Sequence, residues 1–224
     1  MEYGNVRAGR FLARPNRFIA HVEVGGQVEI CHVKNTGRCR ELLVEGAKVY
    51  LEEGTGAKRK TRFDLIAVEK GGRLINMDSQ APNKVAAEYL PVLLPGLGLL
   101  RAEQRFGTSR FDFYGEAGGE RWFVEVKGVT LEEDGVVLFP DAPTERGVKH
   151  LHELCDAVEA GYRAMALFVV QMEGVRYFTP NGRTHPEFAR ALGEAQKKGV
   201  RLEAIDCRVT PGSLTAKGAV EIRL

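Results

Sequence analysis

The first third of the chain alternates between apolar and polar positions on either side of a glycine pair. Side chains two residues apart in a strand point to the same face, so this alternation predicts a hairpin of two strands, over residues 17–24 and 27–33. Further short strands are predicted over residues 47–52, 61–69 and 73–77. About five short strands in some 80 residues indicate a small antiparallel barrel, and an OB-like barrel is the candidate of matching size.

Helical periodicity appears only after Ser79. Between residues 144 and 160, apolar side chains recur at spacings of three and four, which predicts an amphipathic helix. A second helix is predicted over residues 186–198, and a short one over residues 84–90 with Asn83 as its N-cap. Strands are predicted over residues 111–114, 121–127, 136–139, 163–171 and 200–206. Strands that alternate with helices are typical of an α/β layer.

The change of pattern predicts two domains, an all-β barrel over residues 1–80 and an α/β domain over residues 81–224. The composition is that of a folded protein, since 44% of the 224 residues are hydrophobic and 32 Lys and Arg stand against 30 Asp and Glu. This balance excludes a disordered or collagen-like chain. The first 80 residues hold 14 basic and 10 acidic side chains, so the basic excess lies in the predicted barrel.

Cysteine and histidine spacings argue against a zinc site. The four cysteines form no C-x-x-C pair, which indicates free thiols in a reducing cytoplasm rather than a disulfide framework. His150 and His152 are two apart in a predicted helix and diverge by about 200°, so they are poorly placed to share an ion. The chain also lacks an apolar segment long enough to span a membrane, a phosphate-binding loop, a dinucleotide fingerprint and a serine nucleophile elbow. We therefore expect a cytoplasmic protein without nucleotide-hydrolysing, hydride-transferring or serine-hydrolase chemistry.

One pattern of charged residues could carry chemistry. Asp112 lies in one predicted strand, and Glu125 and Lys127 follow in the next after twelve intervening residues. Alternation sends Glu125 and Lys127 to the same face, and Asp112 could lie across the hairpin from them. Two neighbouring carboxylates can hold Mg²⁺, and Lys127 could then orient a water or stabilise charge on a phosphoryl oxygen. The spacing resembles that of PD-(D/E)xK phosphodiesterases with Phe111 in place of the proline, although such pairs are also common on solvated strands.

Six segments of the chain form a recognisable set when taken in order. They are residues 32–38 (HVKNTGR), 59–61 (RKT), 81–83 (APN), 109–112 (SRFD), 125–131 (EVKGVTL) and 139–147 (FPDAPTERG). Together they resemble the sugar fermentation stimulation protein (SfsA) family. The resemblance implies an N-terminal OB-like nucleic-acid-binding domain, a PD-(D/E)xK nuclease-like α/β domain, sequence-nonspecific DNA binding and an association with maltose metabolism. The chain departs from the family pattern at Lys34, where a proline is usual, and at His185, where an aspartate is typical.

Further candidate residues surround this pattern. Glu88 in the short helix could supply another catalytic carboxylate, or it could be a solvated side chain. Arg146 and Lys149 lie at the start of the long helix, whose dipole would favour a phosphate if it faces the site. The candidate nucleic-acid-binding residues are Arg17, Lys34, Asn35, Arg38, Arg59, Lys60, Arg110, Arg146 and Lys149.

Basic residues of the predicted barrel are interleaved with phenylalanines. The full set comprises Arg10, Arg14, Arg17, Lys34, Arg38, Arg40, Lys58, Arg59, Lys60 and Arg62, with Phe11, Phe18 and Phe63 among them. On a barrel surface these residues could follow a phosphate backbone while an aromatic ring stacks on a base. The alternative is a solvated basic surface over a core that contains the phenylalanines.

These observations and the resemblance predict a nuclease that depends on Mg²⁺ or Mn²⁺, hydrolyses phosphodiester bonds of DNA or RNA and binds nucleic acid without sequence preference. Asp112 and Glu125 would be the metal ligands, and Lys127 would assist the attack of water. The alternative hypothesis is a non-catalytic DNA-binding protein that takes part in regulating sugar (maltose) metabolism. A sugar-handling enzyme has only the family's name in its favour, because the sequence contains no obvious sugar-binding pattern.

Overall fold

The computed structural model describes residues 1–35, 37–56 and 59–224. The first domain contains β1 (Val6–Asn16), β2 (Ile19–Val24), β3 (Gln27–Val33), β4 (Lys48–Glu53), β5 (Phe63–Lys70) and β6 (Arg73–Asn76). These strands pair in the order β3-β2-β1-β4-β5-β6, and a parallel pairing between β3 and β5 closes the first five into a barrel. The predicted OB-like barrel is confirmed.

The predicted hairpin forms β2 and β3, and its two turn residues, Gly25 and Gly26, have positive φ angles. The sequence patterns did not predict β1. Phe11 is its only buried residue, and its pairing with β2 is irregular on both sides of Ala13, so the alternation is lost. Nevertheless β1 pairs with both β2 and β4 and joins the two halves of the barrel.

The second domain is an α/β structure. Its elements are α1 (Ala81–Leu93), β7 (Leu97–Phe106), β8 (Ser109–Ala117), β9 (Glu120–Val129), β10 (Leu131–Glu133), β11 (Val136–Phe139), α2 (Glu145–Glu159), β12 (Arg163–Val170), β13 (Tyr177–Pro180), α3 (Pro186–Lys197), β14 (Arg201–Thr210) and β15 (Ser213–Ala219). The main sheet has the order β15-β14-β12-β9-β8-β7, and a smaller sheet has the order β10-β11-β13. Antiparallel β7, β8 and β9 are followed by parallel β12 and β14, which confirms the predicted α/β domain.

Helices cover both faces of the main sheet. α1 packs on the face that contains Val126 and Leu167, and α2 packs on the face that contains Phe168. Because both faces of β12 are covered, all but the first of its residues are buried and the strand is a continuous apolar run. Glu125 alternates with Val126 in β9, so its side chain lies on the α2 side. None of the helices in the described part of the chain has the length and apolar character needed to cross a membrane.

Two local predictions at the start of the second domain are wrong. α1 begins at Ala81, so Asn83 is inside the first turn and is not the N-cap; its amide instead donates to Asp112. The helix also continues through Pro91. β7 begins at Leu97, in a stretch for which the sequence patterns predicted no strand, because Gly98 and several exposed positions hide its alternation.

Gln171, which follows β12, connects the two domains. Its Nε2 donates to Asn76 Oδ1 at 2.8 Å and to the carbonyl oxygen of Asp78 at 3.0 Å. In the opposite direction, the backbone N–H of Asn76 donates to the carbonyl oxygen of Gln171 at 2.9 Å. All three residues are buried, so these hydrogen bonds hold the end of the barrel domain against the main sheet.

We expect Gln171→Ala to lower the free energy of unfolding by about 1–3 kcal/mol, because it removes two buried interdomain hydrogen bonds. Urea denaturation measures the change. Gln196, an exposed glutamine in α3, provides the control, and Gln196→Ala should change stability by less than about 0.5 kcal/mol. Equal stability of Gln171→Ala and the wild type would contradict the role of Gln171 at the interface.

Candidate active site

Three of the predicted catalytic side chains meet at one end of the β8–β9 hairpin. The register of the hairpin places Asp112 opposite Glu125, one position beyond the last paired residues. Asp112 Oδ2 accepts a hydrogen bond from the backbone N–H of Val126, and Asp112 Oδ1 accepts one from Asn83 Nδ2, both at 2.8 Å. Strand alternation brings Lys127 to the same face as Glu125, and the two side chains are in contact.

Glu125 is only 4% exposed. Its Oε1 contacts both the ammonium group of Lys127 and Nδ1 of His150. Its Oε2 is buried and has no hydrogen-bond partner among the described residues. Burial alone would raise the pKa of Glu125, but the hydrogen bond from His150 and the charge of Lys127 outweigh burial and hold the pKa below its usual value. Glu125 is therefore an ionised carboxylate with one oxygen bound and the other without a partner.

Asp112 has the opposite shift, because its pKa is raised. Burial is the largest cause, and the negative charge of Glu125 is the second. The hydrogen bonds from the Val126 N–H and from Asn83 reduce this shift without cancelling it. Two carboxylates that repel each other in a partly buried site would both be stabilised by a nearby cation.

His150 is a site residue that the sequence analysis missed. It is 4% exposed and connects Glu125 to Arg146, whose Nε donates to His150 Nε2 at 3.2 Å. One signal was present in the sequence: His150 lies four residues before the buried Leu154, so helical periodicity puts it on the buried stripe of α2. His152, two residues further on, is exposed and takes no part in this contact.

The start of α2 lies beside the carboxylates, as the contact through His150 shows. Thr144 is the N-cap, and its hydroxyl accepts a hydrogen bond from the Gly147 N–H at 3.1 Å. Arg146 is therefore in the first turn, exposed, and close to Glu125 through His150. This position places a guanidinium group and the positive end of the helix dipole near the carboxylate cluster.

The structure separates Glu88 from this cluster, contrary to the prediction. Glu88 follows Asn83 by five residues in α1 and is therefore turned by about 140° around the helix. Its exposed carboxylate pairs instead with the amino terminus of Met1 at 2.8 Å. Helical phase therefore moves Glu88 away from Asp112, and the carboxylate that lies near Asp112 is that of Glu125 in β9.

Two of the predicted nucleic-acid-binding residues lie at the surface outside the carboxylate cluster. Lys149 is exposed in α2 and pairs with Glu153 at 3.8 Å. Arg110 is exposed in β8 and pairs with Glu103 at 3.2 Å. Exposed pairs of this kind contribute little to stability, so both cations are free to exchange these partners for a phosphate.

Lys34 is held inside the barrel domain by three carboxylates. Its Nζ lies 3.0 Å from Glu52, 3.4 Å from Asp78 and 3.6 Å from Asp64. Burial would lower the pKa of Lys34, but the carboxylates outweigh it and the pKa is raised. Arg59 also pairs with Asp64, at 2.6 Å. The charges of Lys34 and Arg59, predicted to bind nucleic acid, are therefore offset within the domain.

Asn35 has a role in shaping its loop. Its Oδ1 accepts a hydrogen bond from the Gly37 N–H at 2.7 Å, and its Nδ2 donates to the carbonyl oxygen of Met77 at 3.0 Å. Arg14 binds the same segment, because its guanidinium donates to four backbone carbonyl oxygens, those of Arg17, Asn35, Gly37 and Arg38. Thr36 of the predicted motif lies outside the described residues.

A second group of predicted basic residues is exposed. Arg17, Arg38 and Lys60 have no ion pair among the described residues, and Arg17 and Arg38 share a surface depression with Arg40. The guanidinium of Arg17 lies 4.9 Å from the ring centroid of Phe18, which is 45% exposed.

The other two phenylalanines of the interleaved set, Phe11 and Phe63, are buried in the core. Lys58 of the same basic set lies outside the described residues. One aromatic ring of the interleaved set therefore lies at the basic surface, and two lie in the core.

Three of the recognisable segments, 32–38, 125–131 and 139–147, meet at a cavity of about 340 Å³ between the domains. Asn35 lines it from the barrel domain, and Asp141 and Thr144 line it from the loop before α2. Gly37 lies so close to this loop that a Cβ atom there would be 2.9 Å from Asp141 Oδ2. Gly128 also lines the cavity, so it begins one residue beyond Lys127.

We expect Lys34→Ala to lower the free energy of unfolding by about 3 kcal/mol, because two buried carboxylates lose their shared cation. Thermal or urea denaturation measures the loss. Lys60→Ala, in the exposed neighbouring loop, is the matched control and should change stability by less than about 0.5 kcal/mol. A Lys34→Ala protein as stable as the wild type would show that the cluster does not support the barrel.

The raised pKa of Asp112 predicts a pH-dependent effect of Asp112→Asn. The wild type loses stability as pH rises from the ordinary Asp value of 3.8 through the raised folded-state value, because the folded state binds the proton more tightly. Asp112→Asn lacks this penalty, so its thermal midpoint should exceed that of the wild type at pH 7, and the difference should shrink toward pH 4. Asp156→Asn, at an exposed aspartate of α2, should show neither effect; a constant difference between pH 4 and 7 for Asp112→Asn would contradict the assignment.

Comparisons with known proteins match both domains. The family model of the SfsA N-terminal OB domain matches residues 12–77, and that of the sugar fermentation stimulation protein RE domain matches residues 80–213.

The sugar fermentation stimulation protein homolog of Desulfitobacterium hafniense (strain Y51) is 59% identical over 100% of this chain and 99% of its own length. The homolog of Ruminiclostridium cellulolyticum is 55% identical over 100% of both. The solved structure of Pyrococcus furiosus SfsA in complex with Ca²⁺ matches with a TM-score of 0.89 at 30% identity, covering 100% of this chain and 98% of that one. The chain belongs to the sugar fermentation stimulation protein (SfsA) family.

Proposed function

We propose that this protein is a nuclease that binds DNA or RNA without sequence preference and hydrolyses its phosphodiester bonds with Mg²⁺ or Mn²⁺ at Asp112 and Glu125. The observation that carries the proposal is the buried Oε2 of Glu125, which has no hydrogen-bond partner among the described residues while Asp112 lies opposite. A buried carboxylate oxygen is costly when it is unpaired, and a cation would satisfy it.

The donor set fits a hard divalent cation. Proteins commonly hold Mg²⁺ through one or two carboxylates, with waters and substrate phosphates as the remaining ligands. The described residues contain no group of three or more His, Cys, Asp and Glu side chains arranged to hold a metal, so a cation at Asp112 and Glu125 would take its other ligands from water and substrate. Each oxygen of Asp112 accepts one hydrogen bond and retains the capacity for another ligand.

Lys127 and Arg146 supply positive charge beside the carboxylates. The Lys127 ammonium reaches Glu125 from the same face of β9, where it can orient a water or stabilise charge on a phosphoryl oxygen. Arg146 uses Nε to bind His150, and its terminal nitrogens make no hydrogen bond with the described residues, so they can receive a phosphate. When bound, a divalent cation would polarise the phosphoryl oxygen and lower the pKa of a water.

The solved relative supports a divalent cation in this family. The P. furiosus protein is described as a complex with Ca²⁺. Calcium and magnesium are both hard cations that prefer oxygen ligands, although they differ in size and coordination number. Asp112 and Glu125 offer ligands of this kind in the present chain.

The barrel domain would hold the nucleic acid. The exposed cations Arg17, Arg38, Arg40 and Lys60 can follow a phosphate backbone, and the exposed ring of Phe18 can stack on a base. Backbone contacts and stacking are largely independent of sequence, because all nucleotides carry a phosphate and an aromatic base. The binding is therefore expected to weaken with salt and to tolerate many sequences.

A non-catalytic DNA-binding protein that regulates sugar metabolism is the second candidate. The names of the curated relatives, which refer to stimulation of sugar fermentation, favour it. The same basic surface would bind DNA in both cases. The two candidates differ in whether nucleic acid is cleaved in the presence of a metal.

The test is incubation of the protein with labelled single- and double-stranded DNA and RNA in Mg²⁺, Mn²⁺ or EDTA. We expect cleavage that requires the metal and that falls by roughly 100-fold or more in Glu125→Gln, which weakens a metal ligand, and in Lys127→Ala, which removes the ammonium that stabilises charge on the phosphoryl group. Glu88→Gln changes a carboxylate of the same domain that lies away from the cluster, and it should cleave like the wild type.

Two results would overturn this proposal. Salt-dependent binding without cleavage under every metal condition would leave the regulatory protein as the better candidate. Cleavage that persists at the wild-type rate in a folded Lys127→Ala protein would show that the reaction takes place elsewhere.

A further inference from the structure

We propose that His150 is a positioning residue that fixes the Glu125 carboxylate so that Oε2 remains available to a divalent cation. The inference rests on the proposed function, because it concerns the same carboxylate, and it adds a role for a residue outside the Asp112, Glu125 and Lys127 set. Its basis is the pair of contacts that His150 makes, one from each ring nitrogen.

Packing holds the His150 ring in place. The residue is on the buried stripe of α2, and its ring lies edge-on to Phe111, with 6.2 Å between the ring centroids. α2 packs against the main sheet, so the ring reaches Glu125 from a neighbouring element and not from the same strand. The position of the ring is therefore set by the core of the domain.

Arg146 determines which ring nitrogen of His150 carries the proton. An arginine N–H can only donate, so His150 Nε2 must accept the hydrogen bond from Arg146 Nε. The proton of the neutral ring is then on Nδ1, and Nδ1 donates to Glu125 Oε1. Carboxylates that bind metals are commonly oriented by hydrogen bonds from neighbouring groups.

This hydrogen bond restricts rotation of the carboxylate. The last torsion of a glutamate side chain has a broad energy minimum, so an unrestrained Glu125 could turn either oxygen toward Lys127. With His150 and Lys127 both at Oε1, the other oxygen is left without a donor. His150 thus separates the two oxygens into one that is held by the protein and one that can bind a cation.

The experiment compares two substitutions of His150 in the full-length protein. His150→Asn keeps an N–H donor near the position of Nδ1, whereas His150→Leu fills a similar space without a donor. The matched controls are His152→Asn and His152→Leu, at the exposed histidine two residues away. Calorimetric titration with Ca²⁺, and separately with Mn²⁺, gives the dissociation constant of each protein, and thermal unfolding shows whether each variant is folded.

We expect His150→Leu to bind either metal 10- to 100-fold more weakly than the wild type, as is typical when the hydrogen-bond partner of a metal ligand is lost. His150→Asn should recover most of this loss, and both His152 variants should bind like the wild type. Recovery by asparagine is the decisive result, because a residue that only fills space would not need a donor.

Unchanged metal binding by folded His150→Leu would overturn the positioning role and leave the proposed nuclease intact. An equal loss in His150→Asn and His150→Leu would also overturn it, since the donor would then be irrelevant. A wild-type protein that binds neither Ca²⁺ nor Mn²⁺ would instead remove the metal site itself, and with it both the proposed function and the role of His150.

Discussion

The burial of the Glu125 carboxylate is the constraint from which the rest of the candidate site follows. A carboxylate that loses its water must gain other partners, and two are supplied from different places in the fold. Lys127 comes from the same strand, and His150 comes from the helix packed on that strand. Because both meet the same oxygen, the pairing lowers the pKa of Glu125 while leaving its second oxygen and the neighbouring Asp112 as an acidic pair. Opposite pKa shifts in adjacent carboxylates are characteristic of functional sites.

The barrel domain also contains buried carboxylates that need partners, and there one lysine serves two of them. Asp64 and Asp78 are buried there, and Lys34 lies between them as a shared cation. Asp78 also accepts a hydrogen bond from Gln171 through its backbone carbonyl, so the charged cluster adjoins the contact between the domains. The charges of Lys34 and Arg59 are therefore used within the barrel domain. The exposed cations that the proposed function assigns to nucleic acid are fewer than the sequence predicted, and Arg17 and Arg38 are among them.

Elements with a clear local period were predicted well, and elements without one were missed. The hairpin of β2 and β3 alternates on both sides of its glycines, and α2 has an apolar stripe that ends at a glycine. β1, β7 and β15 lack such a signal because few of their residues are buried or because glycines interrupt them. β10 and β13 are short, and they exist because the small sheet pairs them with β11. A strand that depends on its neighbours for pairing leaves little trace in its own residues.

The same distinction applies to the candidate site, where some contacts follow from the local period of a strand and others do not. The local sequence was enough to predict that Glu125 and Lys127 share a face, because the period of a strand is local, and that a hairpin could bring Asp112 opposite them. The contact of His150 with Glu125, and the ion pairs that Lys34 makes inside its own domain, became known only from the packing of the elements. These outcomes depend on side chains that are far apart in the chain and are brought together by the packing of separate elements. Local periodicity specifies which face of an element is buried, and it contains no information on which charged group of another element will lie against that face.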